Sequence, residues 1–333
     1  MKELTSILGQ LARPETYPAV LATLVCVAGS SYRRPGARLL LTAGGARVGS
    51  ISGGCLEQDL MNRAAAVRAS EKSEVVVYDT TSENDLVWGV GLGCHGVVHI
   101  LVEYLPAPPA WLEPAHLHVA SRKAFQLTCV HGGASSRSLG TFWGPPEHPS
   151  PAAPEERFVQ SIDPRLSLLI FGAGDDVQPL VRLAHELAWS ITIVDPRPAF
   201  ATRERFPLAD KILTGPLVHH LGPLPTDTRT AAVIMTHHYV HDLPVLEALM
   251  HRPLAYLGLL GPRKRAERLL NDVRARNPTA PPDLEHRIRA PVGLDLGGDT
   301  PEGVALAITA EIQSTLAGRD GRPLRERTRP IHP

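Results

Sequence analysis

The sequence predicts an α/β protein in two parts, an α+β domain over residues 1–160 and a doubly wound parallel sheet over residues 161–333. Three observations predict it. Up to Tyr104, short strand-like runs alternate with glycine turns and two helical runs. From Arg165 onward, apolar strands alternate with helical runs, the pattern of a parallel sheet covered on both faces. Between them lies the proline-rich stretch "GPPEHPSPAAPEE", read as an exposed loop, and the length of 333 residues itself suggests two domains.

Each element has its own signal. Leu4, Ile7, Leu8 and Leu11 recur at helical spacing. "AVLATLVCVAG" reads as a buried strand, and two short strands follow between glycine turns. From Cys55 a helix sets Leu56, Leu60, Ala64 and Val67 on one face. "EVVVYD" and "GVVHILVEYL" are strands, and "PAPPAWLEP" marks a bend or linker, so that residues 106–160 are partly linker. "AFQLTCVHGG" and "SLGTFWG" read as two further strands. In the second part, "LSLLIFGAG" is a continuous apolar strand ending in glycines, "VQPLVRLAHELAW" a helix and "SITIVDPRP" a strand. Strand-like runs recur at 211–214, 231–235 and 255–259. Asp242 is expected to cap a helix over 243–251, with Pro244 in its first turn. Thr300 and Pro301 open the last helix.

Composition narrows the function. Lys and Arg total 34, as do Asp and Glu, and a formal charge of zero argues against a general nucleic-acid binder. The run "AVLATLVCVAG" is too short to span a bilayer. The opening residues lack the apolar core of a signal peptide. The four cysteines form no C-x-x-C pair, which weakens zinc-ribbon and thioredoxin readings. The expectation is a cytoplasmic chain with reduced thiols and no membrane or nucleic-acid partner.

The candidate site residues fall in glycine-rich turns. In "GSISGGCLEQDL", Gly53 and Gly54 let a ligand approach the backbone, and Cys55 sits at a helix start. A helix start offers unpaired N–H groups and partial positive charge, which lower a thiol's pKa and favour anions. The alternative is a small residue packed at the helix start. Cys94 lies in "GVGLGCHG", again among glycines. Arg33, Arg34 and Arg38 in "GSSYRRPGARLL" present guanidinium forks to phosphate or carboxylate. In "LLIFGAGDDVQPLVRLA", Gly172 and Gly174 match the first two glycines of a dinucleotide fingerprint, and Asp195 ends the next strand where a ribose-binding acid lies. Val177 replaces the third glycine, while Asp175 and Asp176 at the helix entrance repel a pyrophosphate. His237 and His241 are four apart beside Asp242, a spacing that faces one metal only if helical. Arg263 opens a basic helix start in "GLLGPRKRAERLL", suited to an anion. His237 and Arg263 therefore join the candidate cofactor contacts.

Ordered along the chain, "GSSYRRPGARLL", "GSISGGCLEQDL", "YDTT", "GLGCHG", "LLIFGAGDD", "VDPRP", "MTHHYVHD", "GLLGPRKR" and "PVGLDLGGDTPEGVALAITAEI" make the sequence resemble the XdhC/CoxI family, accessory proteins of xanthine dehydrogenase and related molybdenum hydroxylases. The resemblance implies an XdhC/CoxI-type N-terminal domain and a Rossmann-like C-terminal domain. It implies a chaperone that binds the molybdenum cofactor (molybdopterin), protects it during sulfuration and inserts it into an apo hydroxylase. A cysteine desulfurase and the hydroxylase are the expected partners, and a homodimer is expected. The GGC and GLGC cysteines of the family fall on Cys55 and Cys94. The family's GLGC stretch often continues Asn-Gly, here His95-Gly96, and its later His-Asn is here His237-His238. An NAD(P)-dependent oxidoreductase using Gly172, Gly174 and Asp195 is the competing reading.

Overall fold

A computed structural model describes residues 2–54, 56–79, 96–133, 139–145 and 155–328. Cys55 and Cys94 lie outside the described residues. The chain divides into two compact units, residues 1–164 and 165–333.

The first unit is built on a five-stranded antiparallel sheet of order β3-β2-β1-β5-β4. Its strands are β1 (Ala19–Gly29), β2 (Arg38–Leu41), β3 (Arg47–Gly49), β4 (Glu74–Asp79) and β5 (Gly96–Leu105). Successive side chains of a strand face opposite ways. Val20, Ala22 and Leu24 of β1 therefore pack in one core with Leu60, Ala64 and Val67 of α2 (Glu57–Ser70). Ala19 and Leu21 face a second core, shared with α1 (Lys2–Leu11) and α3 (Leu112–Ala120). Burial on both faces explains why β1 reads as a continuous apolar run.

A second, three-stranded antiparallel sheet, β7-β6-β8, completes the unit with β6 (Phe125–Gly133), β7 (Gly140–Trp143) and β8 (Glu155–Ile162). Glu103 of β5 joins the two sheets, accepting hydrogen bonds from Thr141 N at 2.9 Å and Thr141 Oγ1 at 2.8 Å. Complete burial pushes its carboxyl pKa up, against the lowering effect of those bonds and of Arg38. Glu103→Ala orphans the buried Thr141 N–H and is expected to destabilise by about 2 kcal/mol. Glu103→Gln keeps an acceptor and is expected to cost far less. Because folding raises this pKa, the carboxyl's contribution is full below the ordinary glutamate range and declines as pH rises through the folded value. Urea unfolding of the three proteins at pH 5 and pH 8 reads both effects, and the Gln variant should lose this pH dependence.

The second unit is a six-stranded parallel sheet of order β11-β10-β9-β12-β13-β14. Its elements run β9 (Ser167–Phe171), α4 (Val177–Glu186), β10 (Ser190–Asp195), β11 (Lys211–Thr214), α5 (Leu217–Leu221), β12 (Thr230–Ile234), α6 (Tyr239–Leu249), β13 (Tyr256–Leu259), α7 (Arg263–Arg276), α8 (Leu284–Arg287), β14 (Ile288–Arg289) and α9 (Pro301–Leu316). Numbered within the unit this is 3-2-1-4-5-6, the doubly wound dinucleotide-fold order. Alternate residues of β9 and β12 feed separate cores on the two faces, Leu168, Ile170, Ala231 and Val233 on one and Leu169, Phe171, Ala232 and Ile234 on the other. Thr300 caps α9 by accepting from Gly303 N, as its sequence position predicts.

Three segments differ from the sequence reading. α3 occupies part of the expected linker. Pro114 sits in its first turn, where no intrahelical N–H is needed. β8 begins inside the expected exposed loop, beyond its prolines. α6 starts at Tyr239 with His238 at the N-cap, so Asp242 lies in the first turn and is not the cap. Asp242 is buried instead, bonded to Thr236 Oγ1 and Arg265.

Candidate functional site

Residues 50–54 and 56 are organised by Glu57, the first residue of α2. Its carboxylate accepts from Ile51 N at 3.2 Å, Ser52 N at 2.8 Å, Ser50 Oγ at 3.0 Å and the Ser52 hydroxyl. Ser52 Oγ in turn accepts from Gly54 N at 3.2 Å and Leu56 N at 3.1 Å. Burial works against the Glu57 charge, yet the bonds from Ser52 and Ser50 hold its pKa below the ordinary range. The helix-start amides at 54 and 56 are thus already satisfied, and a carboxylate occupies the same helix end. Sequence reasoning missed Glu57, whose only signal is an acid in the first turn. The backbone of Gly53 and Gly54 remains exposed, and Gly54 adopts φ +117°.

Two other glycine-rich segments reach the same edge of the sheet. Gly29 at the end of β1 pairs with Gly96 at the start of β5. A Cβ at Gly96 would lie 2.4 Å from Ser30 O, so only glycine fits. Two residues beyond Ser30, the Tyr32 ring lies 3.8 Å from where a Gly53 Cβ would stand, and the ring is 72% exposed. The segment around residues 28–32 therefore touches both Gly53, two residues before Cys55, and Gly96, two residues after Cys94.

The arginines divide. Arg33 pairs with Glu3 at 2.8 Å, and Arg34 is exposed beside it. Arg38, read from the sequence as an anion-facing loop arginine, is 2% exposed within β2. Its Nη1 donates to Gln160 Oε1 at 2.5 Å and to Gly36 O at 3.1 Å. The apolar run "RLLL" carries it inward, where it ties β2 to β8.

In the second unit the sheet's carboxyl edge is occupied by ion pairs. Gly172 (φ +129°) lies where the strand order reverses, against Met235 O. Asp195 is fully buried, and both its oxygens are taken. Oδ2 accepts from Ala173 N at 2.7 Å and Arg197 Nη2 at 2.8 Å, and Oδ1 from Arg197 N and Nε. A ribose hydroxyl at this carboxylate would have to displace Arg197. Asp175 pairs with Arg205 at 2.6 Å, and Asp176, two residues past Gly174, pairs with His237 Nε2 at 2.8 Å. His237 holds φ +60°, in the left-handed region. Arg263 is exposed at the first turn of α7, while Arg265 turns inward to Asp242.

Comparison with known proteins agrees with both units. Residues 168–312 match the family model described as the XdhC Rossmann domain, and residues 12–79 match that of the XdhC and CoxI family. A Bacillus subtilis (strain 168) protein named as a probable xanthine dehydrogenase subunit is 33% identical over 327 residues, covering 89% of this chain and 93% of its own. An Escherichia coli (strain K12) protein named molybdenum cofactor insertion chaperone PaoD is 25% identical over 309 residues, covering 89% of this chain and 83% of its own. A crystal structure described as a xanthine dehydrogenase from Bacillus halodurans has a TM-score of 0.79 and 31% identity, covering 95% of this chain and 96% of that one. With a family match in each unit and a relative of this identity along most of its length, the chain belongs to the XdhC and CoxI family.

Proposed function

We propose that this protein is an accessory factor that binds molybdenum cofactor as cargo and hands it to a xanthine dehydrogenase-type apo hydroxylase. The observation that carries the reading is the meeting of three glycine-rich segments around Ser30 and Tyr32, which brings the chain neighbours of Cys55 and Cys94 to one edge. That edge suits the cargo's chemistry. Exposed glycine backbone at 53 and 54 permits close approach, Arg33 and Arg34 attract the phosphate, and thiolates are soft donors for molybdenum. The name of the E. coli relative, a molybdenum cofactor insertion chaperone, supports the same reading. The proposal extends to protection of the cargo during sulfuration, a cysteine desulfurase as the sulfur source, a homodimer and a cytoplasmic setting. No helix among the described residues is long and apolar enough to cross a membrane.

The test is co-expression with cofactor biosynthesis, followed by molybdenum and pterin analysis of the purified chain. About one equivalent per chain is expected. Cys55→Ala and Cys94→Ala are each expected to lower retention at least about tenfold without loss of fold. Unchanged retention in the double variant would remove the thiols from the site, and no retention by the wild type would sink the reading.

A further inference from the structure

We propose that the second unit carries a phosphate-class anion site at the amino-terminal edge of its parallel sheet. The site lies at the opposite edge from the Gly172 and Asp195 loops, and the inference is independent of cofactor binding by the first unit. A cavity of about 170 Å³ lies beside the start of β13, lined by Arg252, His286, Arg287 and Arg289, with Tyr256 and Thr315 among its other walls. Among the described residues no Asp or Glu lines it.

The local sequence explains the grouping. Ile288 of β14 is buried, while Arg287, the last residue of α8, and Arg289 of β14 flank it in the chain and are both exposed. Arg252 follows the end of α6 and is fixed in place. Its Nη1 donates to Leu224 O at 2.8 Å and its Nη2 to Leu221 O at 2.5 Å, closing the end of α5. Arg287 is held loosely, by a 3.4 Å contact from Nη2 to Arg252 O. Two acids beside its lining residues are committed elsewhere: Glu285, preceding His286 in the chain, pairs with Arg274 at 2.6 Å, and Glu311 accepts from Tyr256 Oη and from Gly293 N.

Guanidinium groups gathered around one hollow repel each other, and an anion of two charges relieves that repulsion through charge-assisted hydrogen bonds. Phosphate fits the planar forks of Arg287 and Arg289, while the Thr315 hydroxyl supplies a further polar group. Size sets the ligand class. Sites for drug-sized molecules occupy about 300–1,000 Å³. This cavity admits a phosphate group and leaves any organic remainder outside.

The test is calorimetric titration of the full-length protein with inorganic phosphate at physiological ionic strength. Saturable binding of one phosphate per chain is expected. The double variant Arg287→Gln/Arg289→Gln should weaken it by about tenfold or more. Both side chains are exposed, so circular dichroism and melting without phosphate should match the wild type. A parallel titration with adenosine monophosphate separates the sources: tighter binding than inorganic phosphate assigns the site to a phosphate ester, weaker or equal binding to the free anion. Absence of saturable phosphate binding by the wild type, or equal binding by the double variant, overturns the proposal. Cofactor retention by the same variant should be unchanged, which keeps the result separate from the site around Gly53.

Discussion

Asp195→Ala is expected to lower the stability of the second unit by about 3 kcal/mol, a fall in Tm of about 6–12 °C for a unit of this size. The loss has two parts. The Ala173 N–H, which donates to this carboxylate, would be left buried without an acceptor. Arg197, bonded to it through N, Nε and Nη2, would lose the partner that sets its position. The pH dependence has a definite sign. Burial opposes the charge, but the bonds from Arg197 and Ala173 outweigh it, so the folded pKa lies below the ordinary aspartate value. The contribution is therefore full above about pH 4, the unfolded value, and is lost as pH falls through the folded pKa. The gap between thermal melts of wild type and variant should narrow from pH 7 to pH 2, down to the part owed to the orphaned Ala173 N–H. A gap that stays constant across that range would refute the buried ion pair as its source.

Gly172→Ala should be harsher, costing about 4 kcal/mol or more. At φ +129° the backbone sits where a side chain is strained. The added Cβ would also stand 2.4 Å from Met235 O and 2.7 Å from Met235 C, which are main-chain atoms at the end of β12 and cannot rotate away. Either the β9 turn or the β12 end must shift, and both belong to the central pair of the sheet. Such a change is a large fraction of the roughly 5–15 kcal/mol that holds a domain together. The expected result is a poorly soluble or early-melting protein. Normal melting of the variant would show that this glycine serves a ligand's approach and not the fold.

What the sequence made legible is what short-range pattern controls. The periodicity of Leu60, Ala64 and Val67 places α2, and the alternation of apolar strands and helices from Arg165 places the parallel sheet. What stayed hidden depends on distant partners or on weak local signals. Arg38 looks like a surface arginine until Gln160, 122 residues away, is brought to it. Asp242 resembles a cap by position, but Arg265 and Thr236 draw it into the interior. β8, "EERFVQSI", is too polar to announce a strand, and α5 has five residues, too few to show a period. Gly53, Gly54 and Gly96 stood out in the sequence as parts of glycine-rich stretches. That they share the Ser30–Tyr32 segment depends on the pairing of β1 with β5, which no local motif encodes.

Gly53 differs from the glycines around it. Gly54 and Gly49 hold left-handed angles, and Gly96 faces main-chain atoms, so each is required by geometry. At 53 the backbone angle is ordinary, and among the described residues beyond its chain neighbours a methyl would meet nothing nearer than the Tyr32 ring at 3.8 Å. Alanine there would stiffen the unfolded chain and stabilise the protein by about 0.4–1 kcal/mol. The bare position is thus a small sacrifice of robustness that the architecture itself never asks for, and it leaves an open doorstep beneath an aromatic awning.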